Sequence, residues 1–139
     1  MSISPPIQLQ CSNDKGVCYE TTLLEVIDGN TIRDSDNKSI QLSLVSAPEL
    51  DQKEGENSKV FLEIICPMGS KITIDEDDGQ LQGSYDKTIA QVYCNGMSMN
   101  AEMIYNHHAT IDTSSCGNSE FTFELWADSC RMENDKYLD

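Results

Sequence analysis

Residues 22–45, TLLEVIDGNTIRDSDNKSIQLSLV, decide the fold. β-Branched and apolar residues run to Ile27 and stop at the turn Asp28-Gly29-Asn30. Thr31–Asp34 makes a second short run. Ser35–Lys38 is polar enough for a hairpin turn, and Ser39–Val45 makes a third run. Three strands in succession joined by tight turns are the expectation. Pro48 ends the third, and Glu49 follows at once. A carboxylate set by a proline at the mouth of a strand has three readings: a general base, a metal ligand, or a polar loop residue.

Outward from there, the polar loop 51–57 leads into a helix capped by Asn57 or Ser58. Val60, Phe61, Ile64 and Ile65 stand at helical spacing, and Cys66-Pro67 ends it. Lys71–Asp75 reads as a strand, 75–87 as a long polar loop, and Thr88–Cys94 as a strand turning at Asn95-Gly96. Met99, Met103 and Ile104 suit a second short helix begun at Ser98 or Asn100. A third is expected over 119–129, with Ser119 as N-cap and Phe121 and Leu125 at i, i+4. The order β-β-β-α-β-β-α with a helical tail implies an α+β protein: a five-stranded OB-type barrel with flanking helices. Its parts would be an arm (1–21), the barrel domain (22–112) and a C-terminal extension (113–139). The aromatic and Met positions are expected in the core.

The chain has 139 residues, enough for one core, with 24 acidic and 9 basic residues and a formal net charge of −15. Polynucleotide binding draws its affinity from Lys and Arg, so this charge opposes it at long range. The basic residues are also scattered, and a bound cation would be needed to build a local polyanion site. No apolar run approaches the ~18 residues of a membrane span. The opening MSISPPIQLQ has neither the basic nor the apolar region of a secretory signal. Six cysteines, at 11, 18, 66, 94, 116 and 130, include no CxxC pair, so zinc is poorly supported despite His107 and His108. Their even count and wide spacing fit three disulfides and an oxidising, extracytoplasmic or secreted setting. The preferred pairing is Cys11–Cys18, Cys66–Cys94 and Cys116–Cys130, out of about fifteen connectivities.

Several short motifs stand in a fixed order along the chain. They are Val26-Ile27-Asp28-Gly29-Asn30-Thr31-Ile32, then Leu42–Val45 leading to Ala47-Pro48-Glu49, and Gly55 ahead of the helix. Ser84-Tyr85-Asp86-Lys87 before Ile89-Ala90-Gln91-Val92, and Asn95-Gly96 before Met99-Asn100, complete the set. In this order they resemble the staphylococcal nuclease-like (thermonuclease) family over roughly 22–112. The cysteine-bearing tail 116–130 resembles an extension found in some members.

The resemblance implies an OB-fold, and in active members a calcium-dependent phosphodiesterase acting on DNA and RNA. That chemistry uses a divalent cation, a carboxylate beside the attacking water and two arginines on the phosphate oxygens. Carried over position by position, the first metal aspartate falls at Asn30. The second metal aspartate and the threonine after it fall at Ser46 and Ala47. The first arginine falls at Gln41 and the second at Lys87, while Glu49 retains the water-positioning glutamate. Tyr85 matches a position near the nucleotide. Calcium affinity falls with ligand charge, so any calcium binding here is expected to be weak. Asp28 is a turn residue or a substitute cation ligand.

Two other features compete for attention. The run Asp75-Glu76-Asp77-Asp78 lacks the ligand spacing of an EF-hand and reads as a solvated acidic loop, with weak cation binding as its alternative. His107-His108 closes a helix pattern, with one residue expected to pack and the other to face solvent. Three functions follow from different classes: a catalytically impaired binding module for a protein or small ligand, a weak or altered nuclease using Glu49 and Lys87, and a structural domain of a secreted assembly.

Overall fold

The meander read in 22–45 is realised as β1 (Cys18–Asp28), β2 (Thr31–Asp34) and β3 (Ser39–Leu42). This computed structural model describes residues 17–81 and 87–131. β1 pairs antiparallel with β2, and β2 with β3, across the Asp34–Lys38 turn. Asp34 builds that turn by accepting the backbone N–H of Asp36 and Lys38 on Oδ1, at 3.0 and 2.9 Å, and Asn37 takes a positive φ. β1 also pairs with β5 (Lys71–Glu76), and β5 with β6 (Lys87–Cys94). The parallel pairing of β3 with β6, from Ser39↔Lys87 to Leu42↔Ala90, joins the ends of the sheet. Five strands therefore close into the expected OB-type barrel, and closure removes the exposed edges of an open sheet. β7 (Met97–Ser98) hairpins back on β6, and a separate two-stranded ladder joins β4 (Val45–Ser46) to β8 (Thr110–Ile111).

Bulges in β1 between Leu23 and Glu25 and between Val26 and Asp28 bring Leu23 and Val26 to the same interior despite their odd spacing. They meet Ile32, Ile40, Leu42, Ile72, Ile74, Ala90 and Val92 from the other strands. Leu62 of α1 (Lys53–Ile65), with Met99 and Met103 of α2 (Met99–Tyr105), covers this core. Burying each such side chain contributes about 1.5–3 kcal/mol. A second apolar cluster, Leu44, Ile111, Phe121, Trp126 and Ala127, packs the C-terminal extension against α2 and the β4–β8 ladder. The Cys66–Cys94 disulfide ties the end of α1 to the end of β6, and Cys116–Cys130 closes the extension. Cys18 is also disulfide-bonded, while Cys11 lies outside the described residues.

Five expectations need correction. α1 begins at Lys53, with Gln52 rather than Asn57 or Ser58 at the N-cap and no side-chain capping bond. The acidic Glu54 and Glu56 in its first turn complement the helix dipole instead. Gly55 consequently lies inside the helix, not ahead of it. A Cβ at Gly55 would stand 1.9 Å from the Glu49 carbonyl oxygen, so this turn packs through its backbone. The third run is broken: Ser43 and Leu44 form a turn between β3 and β4, with Leu44 at φ 65°. Ser98 does cap α2, accepting from Ala101 N at 3.1 Å.

No helix spans 119–129. Turns lead into a short 3-10 stretch (Leu125–Ala127), and Ser119 is held by a barrel residue instead of capping. The last correction concerns Asp75 and Asp77, which are buried at 3% and 0% exposure rather than solvated. Asp77 Oδ2 accepts Ser43 Oγ and Ser119 Oγ, each at 2.6 Å, and Gln80 Nε2 at 2.9 Å. Its Oδ1 accepts the backbone N–H of Gly79 and Glu120, each at 3.0 Å. One carboxylate thus fastens the β3–β4 turn, the end of β5 and the extension together.

Candidate functional site

The turn from β1 to β2, the exit of β3 and the β4 strand meet at one end of the barrel. Asn30 organises the meeting: its backbone O accepts Leu42 N at 2.8 Å, and its amide Nδ2 donates to Val45 O at 3.0 Å. Its Oδ1 accepts the Thr31 hydroxyl at 3.1 Å, and its own N–H donates to Asp28 Oδ1 at 3.0 Å. Asp28 therefore acts as a turn residue here. Gln41 pairs across the barrel with Thr31 on one side and Ile89 on the other. Ser46 is exposed and Ala47 half-buried as the chain leaves β4 for Pro48.

The fold accordingly brings Asn30, Gln41, Ser46 and Ala47 to a common neighbourhood. Glu49 is exposed, and its backbone O accepts Gln52 N at 3.0 Å, which sets the entry into α1. Lys87 is exposed at the first position of β6, opposite Ser39. Tyr85 lies outside the described residues.

This donor set does not suit calcium. Hard cations are held by several oxygens, with carboxylates setting the affinity. Asn30 and Ser46 are neutral, and the Asn30 amide is spent on fixing β4. Among the described residues no group of three or more His, Cys, Asp or Glu is placed to hold a metal ion. The chain's two arginines, Arg33 and Arg131, are also committed. Arg33 Nη1 meets Glu25 at 2.6 Å, and Arg131 reaches Thr122 O, Glu124 O and Asp128, each at 2.9 Å.

Beside these residues opens a cleft of about 580 Å³, lined by Ser46, Ala47 and Pro48 and by the α1 turns carrying Gln52, Glu54, Asn57 and Ser58. The turn between α2 and β8 closes it with His107 and His108. His108 stacks on Phe61, ring centroids 4.4 Å apart, while His107 is exposed at φ 61°. Sequence reasoning did not single out the cleft, because its walls come from three segments of ordinary polar composition. The signals available were Ser46 and Ala47, singled out as metal positions, and the His107-His108 pair, and neither implied a cleft.

A family model described as staphylococcal nuclease homologue matches residues 39–128, more than half of the chain. Comparison with curated proteins finds no match.

Proposed function

The chain belongs to the staphylococcal nuclease homologue family, and on that premise we propose that it is a binding member of the family whose phosphodiesterase chemistry is impaired. The observation that carries the reading is the commitment of both arginines. A phosphoryl-transfer site needs planar guanidinium groups to take the phosphate oxygens in paired hydrogen bonds, and an ammonium replaces them only as a point charge. By the family resemblance Gln41 and Lys87 take the positions of those groups, while Arg33 and Arg131 are bonded elsewhere. Losing one transition-state donor commonly costs about 2.7–4 kcal/mol, and a weakened metal site adds to that. The acidic balance, with a formal net charge of −15, further disfavours a polynucleotide.

The disulfides Cys66–Cys94 and Cys116–Cys130 suit an oxidising, extracytoplasmic setting. Secretion is part of the proposal, as is the division into arm, barrel domain and extension. The test is cleavage of single-stranded DNA and RNA by oxidised, folded protein with calcium, beside a chelator control and Glu49→Gln. The expected result is no cleavage. Hydrolysis abolished both by chelator and by Glu49→Gln would overturn the proposal and establish a nuclease centred on Glu49.

A further inference from the structure

The cleft beside the candidate site has a chemistry of its own. Its volume of about 580 Å³ is that of a small-ligand pocket. Ser46, Gln52, Asn57 and Thr110 line it with neutral donors and acceptors, and among the described residues Glu54 is the one carboxylate on its walls and no lysine or arginine lines it. An anion would meet no fixed cation on those described walls, and a chain of net charge −15 enriches cations around itself instead.

Two walls are set before any ligand arrives. Ser58 Oγ donates to His108 O at 2.5 Å, and His108 N donates to Met103 O at 2.9 Å. These bonds fix the turn, and the Phe61 stack holds the His108 ring flat. A wall that is already ordered spares the ligand part of the entropy cost of binding. At the rim, His107 takes φ 61° as the residue after the α2 C-cap: its N–H donates to Ile104 O at 3.1 Å and that of His108 to Met103 O, the Schellman closure of a helix end.

We propose that this cleft binds an organic cation, a primary ammonium or guanidinium group, with Glu54 as the counter-charge and the neutral side chains ordering the rest of the ligand. The proposal rests on the binding-module reading above and names the ligand class for it. The cation has two sources, a free polyamine or a basic side chain of a polypeptide, and the two are separable by experiment.

Purified oxidised protein is titrated with spermidine and, separately, with a lysine decapeptide, while the ring signals of His107 and His108 are followed by NMR. Saturable shifts of these signals are expected. Glu54→Gln should weaken the binding about tenfold, the loss of one hydrogen bond to a charged group. Glu56→Gln removes the same charge from the same helix turn outside the cleft, so it should change affinity less than about twofold. Tighter spermidine binding identifies a free amine as the ligand class, and tighter peptide binding a protein partner. Equal losses in the two variants would overturn the proposal, because the general field alone would then be responsible. Shifts produced as well by neutral maltotriose, and unmoved by Glu54→Gln, would overturn it too. If neither cation binds and the nuclease assay is also silent, this proposal falls while the non-catalytic reading stands. Cleavage of nucleic acid removes the premise instead.

Discussion

Two carboxylates divide the molecule between them. Glu49 sits in a sequence context that attracts attention, yet it is exposed and its backbone, not its side chain, makes the recorded bond. Asp77 sits in an acidic run that composition alone would leave in solvent, yet it is fully buried and accepts five hydrogen bonds from three parts of the chain. Motif and structural investment have come apart. Around Glu49 the bonds are those of the backbone, while the corner where the extension is pinned, reached through the Ser43 turn, carries the dense network of side-chain bonds.

That contrast is open to direct attack. Asp77→Ala should have the largest effect, because it strands Ser43, Ser119, Gln80 and two backbone N–H groups. Unmade buried bonds cost about 1–3 kcal/mol each, so a loss of about 4 kcal/mol is expected in urea unfolding. A loss below about 1 kcal/mol would show that the corner relaxes into water and that the contrast is only apparent. Next comes the covalent support of the same region: replacing Cys116 and Cys130 by Ser should cost about 3 kcal/mol by chain entropy. Removing Cys66–Cys94 should cost slightly more, about 3.5 kcal/mol, for its longer loop.

At the Glu49 end the sensitive element is the backbone. Ala in place of a helix-interior Gly normally stabilises by about 1 kcal/mol. Gly55→Ala should instead destabilise by about 2 kcal/mol, because its Cβ would overlap the Glu49 carbonyl. A rise in Tm for Gly55→Ala would mean that the Pro48–Glu49 turn is free to shift. Glu49→Gln should produce the smallest change, within about 0.5 kcal/mol in the same unfolding assay, as befits an exposed side chain.

A prediction of another kind concerns pH. Burial first, and then the charges of Asp34, Glu76 and Asp36, push the Tyr19 hydroxyl up to about 12. Neutral Tyr19 is thus favoured in the folded protein. Its contribution to stability is fully present below pH 10 and is lost as pH rises through about 12. Tyr19 Oη and Asp34 Oδ2 are both buried with no hydrogen-bond partner among the described residues, which fits a phenol that resists becoming a phenolate beside a carboxylate. Ultraviolet titration of the wild type minus Tyr19→Phe should reveal a late ionising component near pH 12. A component at the ordinary phenol value would remove this account. Tyr93 is raised as well, by burial and by Glu124, Asp75 and Glu120.

Much of the barrel was legible in the sequence, since strand alternation and turn chemistry are local. The runs ending at Ile27 and Asp34, the start of the run over Ser39–Val45, and those of β5 and β6 are strands because β-branched residues alternate between bounded turns. The OB closure followed from their order and from the family resemblance. Helix boundaries were less legible: the first turn of α1 holds no apolar residue, because Gly55 packs there through its backbone. The tail misled for a related reason. Phe121 and Leu125 share helical spacing, but Phe121 is buried while Leu125 is 81% exposed, and the bond from Ser119 to Asp77 overrides the local pattern. No window of sequence reveals a contact between residues 43, 77 and 119. The candidate site was legible as a set of positions, but the engagement of Asn30 with Val45 and the cleft beside it depend on three segments converging.

The Cys66–Cys94 link has a consequence for how the chain comes apart. A protease that nicks any single bond between these two residues releases nothing: both products stay joined through sulfur, and the mass rises by one water. The same holds between Cys116 and Cys130. A single cut between Cys18 and Cys66, or between Cys94 and Cys116 where α2 and the His107-His108 turn lie, falls outside both loops and separates the chain into two pieces. A gel run with and without reductant would therefore sort nicked molecules by where they were cut.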